Sequence, residues 1–79
     1  MYSVYILVNE KGKLYVGQTS DLSRRLVEHN ELGHGFTSRY RPWKLVHQEK
    51  YSSRSEAMAR EKYLKTGVGR DWIRSFVRV

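Results

Sequence analysis

A chain of 79 residues, 39% hydrophobic and 13% aromatic, has enough apolar mass for one small core and too much for a disordered segment, though it lies near the lower size limit for a fold without disulfides or metals. The absence of cysteine removes disulfide frameworks, zinc knuckles and thiol nucleophiles. A formal charge of +7 draws polyanions over about a Debye length, roughly 8 Å at physiological salt, and puts nucleic acid first among partner classes, with simple solubility as the plainer reading.

The first apolar run, Val4 to Val8, is too short for a membrane span or the apolar region of a signal peptide. The expectation is a cytoplasmic protein with no membrane partner, monomeric or weakly dimeric. No repeat, low-complexity tract or linker interrupts residues 1–79, which predicts one domain.

In chain order, "SVYILV" (Ser3 to Val8) and "KLYVGQ" (Lys13 to Gln18) are short, β-branched and aromatic, and the intervening "NEKG" offers Gly12 for a left-handed bulge position, so they read as a β-hairpin. With Asn9 and Lys13 flanking the loop, Leu7 lies opposite Tyr15 and Tyr5 opposite Gly17, which lifts both phenols from one face and leaves open space over Gly17. Ser20 and Asp21 are N-cap candidates for a helix from Leu22 to Asn30 or Glu31. "GHGFTSRYRP" reads as loop, and "WKLVHQEKY" (Trp43 to Tyr51) as a third strand with Trp43, Leu45 and His47 on one side. Ser53 and Glu56 have capping-box spacing for a second helix through about Thr66, ended by Gly67. A last short helix, around Asp71 to Phe76, would cover the sheet with Trp72, Ile73 and Phe76. The prediction is a small α/β fold of three strands and about three helices.

Two helices break their own pattern. Leu22, Arg25, Leu26 and His29 occupy one stripe at i, i+3, i+4 and i+7, and Ala57, Glu61 and Leu64 form another with a carboxylate at its centre and Arg60 beside it. An unpaired ion removed from water costs several kcal/mol, so these groups must pair or stay wet. Two readings stand open: an Arg25–Glu61 ion pair fastening helix to helix, or a wet cleft in which two phenols, a guanidinium, an imidazole and a carboxylate converge. The second set is suited to metal-assisted phosphodiester hydrolysis. A lone carboxylate can hold Mg²⁺ through its waters, arginine can fork onto a phosphate, and tyrosine or histidine can move a proton.

These residues resemble the GIY-YIG nuclease domain, in particular its small stand-alone bacterial members. The two signatures are "SVY" (Ser3 to Tyr5) and "YVG" (Tyr15 to Gly17), and the likeness continues through "DLSRRLVEHN", "RYRPWKLV" and "SEAMAREKYLK". Ser3 stands for the family's first glycine and Val16 for its isoleucine. The resemblance implies a three-stranded antiparallel sheet flanked by helices. It also implies a Mg²⁺- or Mn²⁺-dependent site built from Tyr5, Tyr15, Arg25, His29 and the metal-binding Glu61, with Gly17 structural. It further implies that a metal-aided water attacks phosphorus, with one tyrosine as general base and Arg25 on the phosphate.

"HGFTSRYRPWK" interleaves basic and aromatic side chains, which marks Arg39, Arg41 and Lys44 as candidate phosphate contacts, with Trp43 a core residue. "GVGRDW" follows no strand and lacks a lysine-hydroxyl ending, so it reads as one helix stopping and another starting. His34 and His47 read as surface or packing residues. Two function classes remain: a DNA endonuclease acting in repair or recombination, with RNA an open alternative, and a basic nucleic-acid-binding module with little cleavage of its own.

Overall fold

The structure, a computed structural model, describes residues 1–32 and 40–77. Strands β1 (Tyr2–Val8) and β2 (Leu14–Thr19) are followed by helix α1 (Leu22–Val27), which widens into a π-helical turn (Glu28–Leu32). Strand β3 (Lys44–Tyr51) and helices α2 (Arg54–Leu64) and α3 (Gly67–Phe76) complete the chain. The sheet is antiparallel throughout, ordered β2-β1-β3.

β1 is the strand that is apolar on both faces, and it takes the centre. Val4, Ile6 and Val16 meet Ala57, Leu64 and Ile73 of α2 and α3 on one face. Tyr5, Leu7 and Trp43 gather on the other, with Tyr15, Leu45 and the α1 residues Leu22 and Leu26 against them. The helices are thus divided between the faces, and each face of β1 is sealed.

The hairpin follows its local chemistry. Tyr5 pairs with Gly17 and Leu7 with Tyr15, and Gly12 takes the left-handed conformation, φ 81°. Asn9 closes the loop: its Oδ1 accepts from Lys11 and Lys13 backbone N–H groups at 3.0 and 2.8 Å, and its Nδ2 donates to the Tyr40 carbonyl at 3.0 Å. That satisfies a buried amide and pins the hairpin to the segment entering β3.

Three expectations about the elements are corrected. β3 does not keep one alternation: between Ile6 and Leu7 of β1 the register slips, Leu45 facing Leu7 but His47 facing Ile6. The extra residue carries His47 to the face opposite Leu45, against Trp72 and Phe76 of α3 at ring distances of 5.4 and 5.5 Å. The helix predicted from Leu22 to Asn30 or Glu31 is α-helical only to Val27. Gly67 opens α3 rather than closing α2 and has no positive φ. Thr66 makes the junction, its hydroxyl donating to the Tyr63 carbonyl at 2.6 Å and accepting from the Gly69 N–H at 3.2 Å. A hydroxyl satisfying the end of one helix and the start of the next removes any need for a glycine stop.

Candidate active site

The α1 face of the sheet brings two signature tyrosines and a histidine together. The Tyr5 hydroxyl and His29 Nε2 are hydrogen-bonded at 2.8 Å. The Tyr15 ring meets the His29 ring edge-on at 4.7 Å and lies 6.2 Å from that of Tyr5. Tyr5 is only 1% exposed and His29 5%, so the pair is sealed rather than standing in a wet cleft.

Gly17 makes the arrangement possible. A β-carbon there would stand 2.6 Å from the Tyr5 hydroxyl oxygen, 2.7 Å from its Cζ and 3.1 Å from the Tyr15 ring. The space expected over Gly17 is therefore filled by the Tyr5 phenol lying against β2, which a larger residue would displace.

The π-helical turn is anchored at Asn30, whose Oδ1 accepts from the Trp43 N–H at 2.6 Å and whose Nδ2 donates to the Trp43 carbonyl at 3.1 Å. This two-way bond ties the turn carrying His29 to the start of β3. The sequence marks Asn30 only as a place for the helix to end, because its partner Trp43 lies across a loop.

Arg25 and Glu61 do not form the helix-to-helix ion pair. Arg25, its side chain 49% exposed, bonds Glu28 at 3.4 Å, and Arg24 bonds the same carboxylate at 3.2 Å. Glu61, 23% exposed, accepts from Lys65 Nζ at 2.7 Å. Both nonetheless act on the buried phenol. Burial pushes the Tyr5 ionisation up, and facing Tyr15 adds to it; Arg25 pulls it down, while Glu61 and Glu28 push it up. Burial lowers the His29 pKa, Arg25 lowers it further, and Glu28 opposes them. The result is a phenol that keeps its proton beside an imidazole that stays neutral at pH 7.

Among the described residues, no three His, Asp or Glu side chains gather as a metal-ligand cluster. Glu61 is instead a single half-buried carboxylate. A hard cation that keeps most of its water, as Mg²⁺ does and Mn²⁺ tolerates, fits one such anchor plus substrate phosphate oxygens. The fit requires Lys65 to yield.

Among the expected phosphate contacts, Arg41 bonds the Asn30 carbonyl at 3.2 Å and is exposed, as is Lys44. Arg39 lies outside the described residues, as does His34. Trp43 is buried in the core, as expected.

The GIY-YIG catalytic domain model matches residues 1–72. A UPF0213 protein of Staphylococcus epidermidis is 42% identical over 80% of this chain and 78% of its own, and one of Staphylococcus haemolyticus is 44% identical over the same shares. The solution NMR structure of a UPF0213 protein from Bacillus halodurans superposes with a TM-score of 0.58 at 32% identity, covering 95% of this chain and 84% of that one. No helix among the described residues is long and apolar enough to cross a membrane. From its paired tyrosine signatures, its antiparallel sheet and these matches, the chain belongs to the GIY-YIG nuclease-domain family, alongside small bacterial UPF0213 proteins.

Proposed function

We propose that the chain is a divalent-metal-dependent endonuclease that hydrolyses phosphodiester bonds in DNA, with branched or flapped DNA of repair and recombination as its substrate class. The observation that carries this reading is the 2.8 Å bond between the Tyr5 hydroxyl and His29 Nε2, lying in the field of Arg25 and Glu61.

Each side chain has a distinct task. Glu61, released from Lys65, would hold Mg²⁺ or Mn²⁺. When bound, that ion supplies Lewis-acid stabilisation of the charge that builds at the phosphate and leaving oxygen. Arg25, half exposed, would leave Glu28 for the non-bridging phosphate oxygens, where its planar fork matches the geometry. The attacking water forms the new P–O bond as the bond to the leaving oxygen breaks. Tyr5 and His29 are sealed at rest, so substrate binding would have to open the site before the water's proton could pass to the Tyr5 hydroxyl while that hydroxyl gives its own proton to a bare His29 Nε2. Phenolate never accumulates in this relay, which fits a phenol whose ionisation is pushed up. His29 is thereby the acceptor, and Tyr5 the conduit. Tyr15 holds the imidazole edge.

Supercoiled plasmid and a set of flap and branched DNAs, incubated with Mg²⁺ or Mn²⁺, test the reading. Wild type should nick or cut, and Glu61→Gln and Arg25→Ala should each lower the rate by roughly 10²-fold or more. DNA binding by Glu61→Gln should stay within a few fold of wild type. DNA binding without Glu61-dependent cutting would make the protein a binding module.

A further inference from the structure

Beside the candidate active site lies a second feature that the Tyr5–His29 chemistry does not use. The outer edge of β2 and the α2–α3 junction form a groove of about 570 Å³ lined by Lys13, Lys65, Arg70 and Arg74, with Tyr15 and Ile73 among its other lining residues. Four cations and no carboxylate line it.

For Arg70 the placement is unfavourable for the fold taken alone, whereas Arg74 lies in the last turn of α3, where the helix dipole favours a cation. Arg70 and Arg74 are like charges at i, i+4 on α3, a spacing that destabilises a helix by a few tenths of a kcal/mol. Arg70 also lies in the first turn of α3, which holds no acidic residue and where the helix dipole disfavours a cation. Among the described residues neither arginine makes an ion pair, in contrast to Arg24, Arg25 and Arg60, each of which bonds a carboxylate.

Two groove residues also belong to the active site. Tyr15 packs on His29, and Lys65 bonds Glu61 at 2.7 Å. The groove therefore adjoins the Glu61 carboxylate through Lys65 and the His29 ring through Tyr15, beside β2, an edge strand of the sheet.

We propose that this groove binds the sugar-phosphate backbone of the DNA strand leaving the active site, with Arg70 and Arg74 as the principal phosphate contacts. The substrate's identity rests on the endonuclease reading, but the binding does not. Charge complementarity names the occupant, since a row of spaced cations with only short apolar wall suits a polyphosphate chain better than an apolar ligand. A phosphate drawn to Lys65 would also loosen its hold on Glu61, so strand binding would ready that carboxylate for its metal.

The test is fluorescence anisotropy with end-labelled DNA, single-stranded and duplex, in EDTA so that nothing is cut. Arg70→Ala/Arg74→Ala is compared with wild type and with Arg54→Ala/Lys62→Ala, which removes the same charge from exposed positions on α2. The groove variant should weaken duplex binding about tenfold or more and flatten the plot of log K against log salt by about 1.8, for two lost phosphate contacts. The α2 control should change affinity by less than about threefold. Arg70→Lys/Arg74→Lys should restore most of the slope, which separates lost charge from a damaged fold. Equal losses in the groove and control variants, or an unchanged salt slope, overturn the proposal. Because cutting is never measured, a groove that binds while plasmid stays intact leaves this proposal standing and removes the endonuclease reading. Glu61-dependent cutting with an unaltered groove slope does the reverse.

Discussion

Gly17 is the residue on which the site's geometry turns. Its missing side chain is occupied by the Tyr5 phenol, itself fully buried and bonded to His29, so the ring has nowhere to retreat. Gly17→Ala should therefore destabilise the protein by about 1–3 kcal/mol, the usual cost of overpacking, measurable as a lower urea midpoint with an unchanged m-value. It should also displace the phenol from His29, seen as a shift in the His29 imidazole NMR resonances. An unperturbed imidazole in the folded variant would mean that glycine is dispensable there. The position was legible as a signature residue. What the pattern alone left out was that the space above it is taken.

Among the elements, the α2–α3 junction shows how two glycines two residues apart differ. A β-carbon on Gly69 would press on the Tyr63 carbonyl oxygen and lie 2.6 and 2.9 Å from the Leu64 Cα and carbonyl carbon, whereas one on Gly67 would meet nothing within 4 Å. Backbone cannot give way as a side-chain tip can. Gly69→Ala should cost about 2–3 kcal/mol by levering α3 off α2, while Gly67→Ala should be neutral or stabilise by up to about 1 kcal/mol through helix propensity and a less flexible unfolded chain. Paired thermal melts decide it, and equal effects of the two would remove the close-approach account. The sequence marks both glycines alike, because nothing local tells which one a neighbouring helix touches. The same limit hid the bulge in β3: the hairpin register is set by a loop of a few residues and was readable, whereas the slip opposite Ile6 and Leu7 depends on pairing with a distant strand.

At the scale of the whole molecule, one carboxylate ties β3 to α2. Glu49 bonds Arg60 through two nitrogens at 2.9 and 3.1 Å, His47 at 2.8 Å and the Tyr51 hydroxyl at 2.7 Å. Arg60 is in turn stacked over Tyr63 and Trp72. Burial alone would raise the Glu49 pKa, but the hydrogen bonds from Arg60, His47 and Tyr51 hold it at about 2. Since the folded carboxyl ionises below the ordinary value of 4.5, its stabilisation is complete above that pH and is lost as pH falls toward 2. Glu49→Gln should cost roughly 2 kcal/mol at pH 7 and should flatten the stability loss in that acid window. Urea melts from pH 7 to pH 2.5 measure both, and an acid profile identical to wild type would show that other carboxylates govern the transition. Protonating this group also adds positive charge to a chain already at +7, so acid works against the fold twice.

The sequence by itself determined the hairpin and its register, the Ser53 cap, a first-helix cap at Ser20 or Asp21 that the structure assigns to Asp21, the basic character and the signature residues of the family. Each of these follows from short-range rules in which a turn residue, a hydroxyl or a local period decides the outcome. Only the tertiary structure decided that Arg25 reaches for Glu28 and Glu61 for Lys65 rather than for each other. It also decided that Tyr5 and His29 share one sealed bond, and that Lys13, Lys65, Arg70 and Arg74 line one groove. Charge partners are chosen by which elements pack side by side, and in a sheet ordered β2-β1-β3 that neighbourhood is set by contacts far apart in the chain.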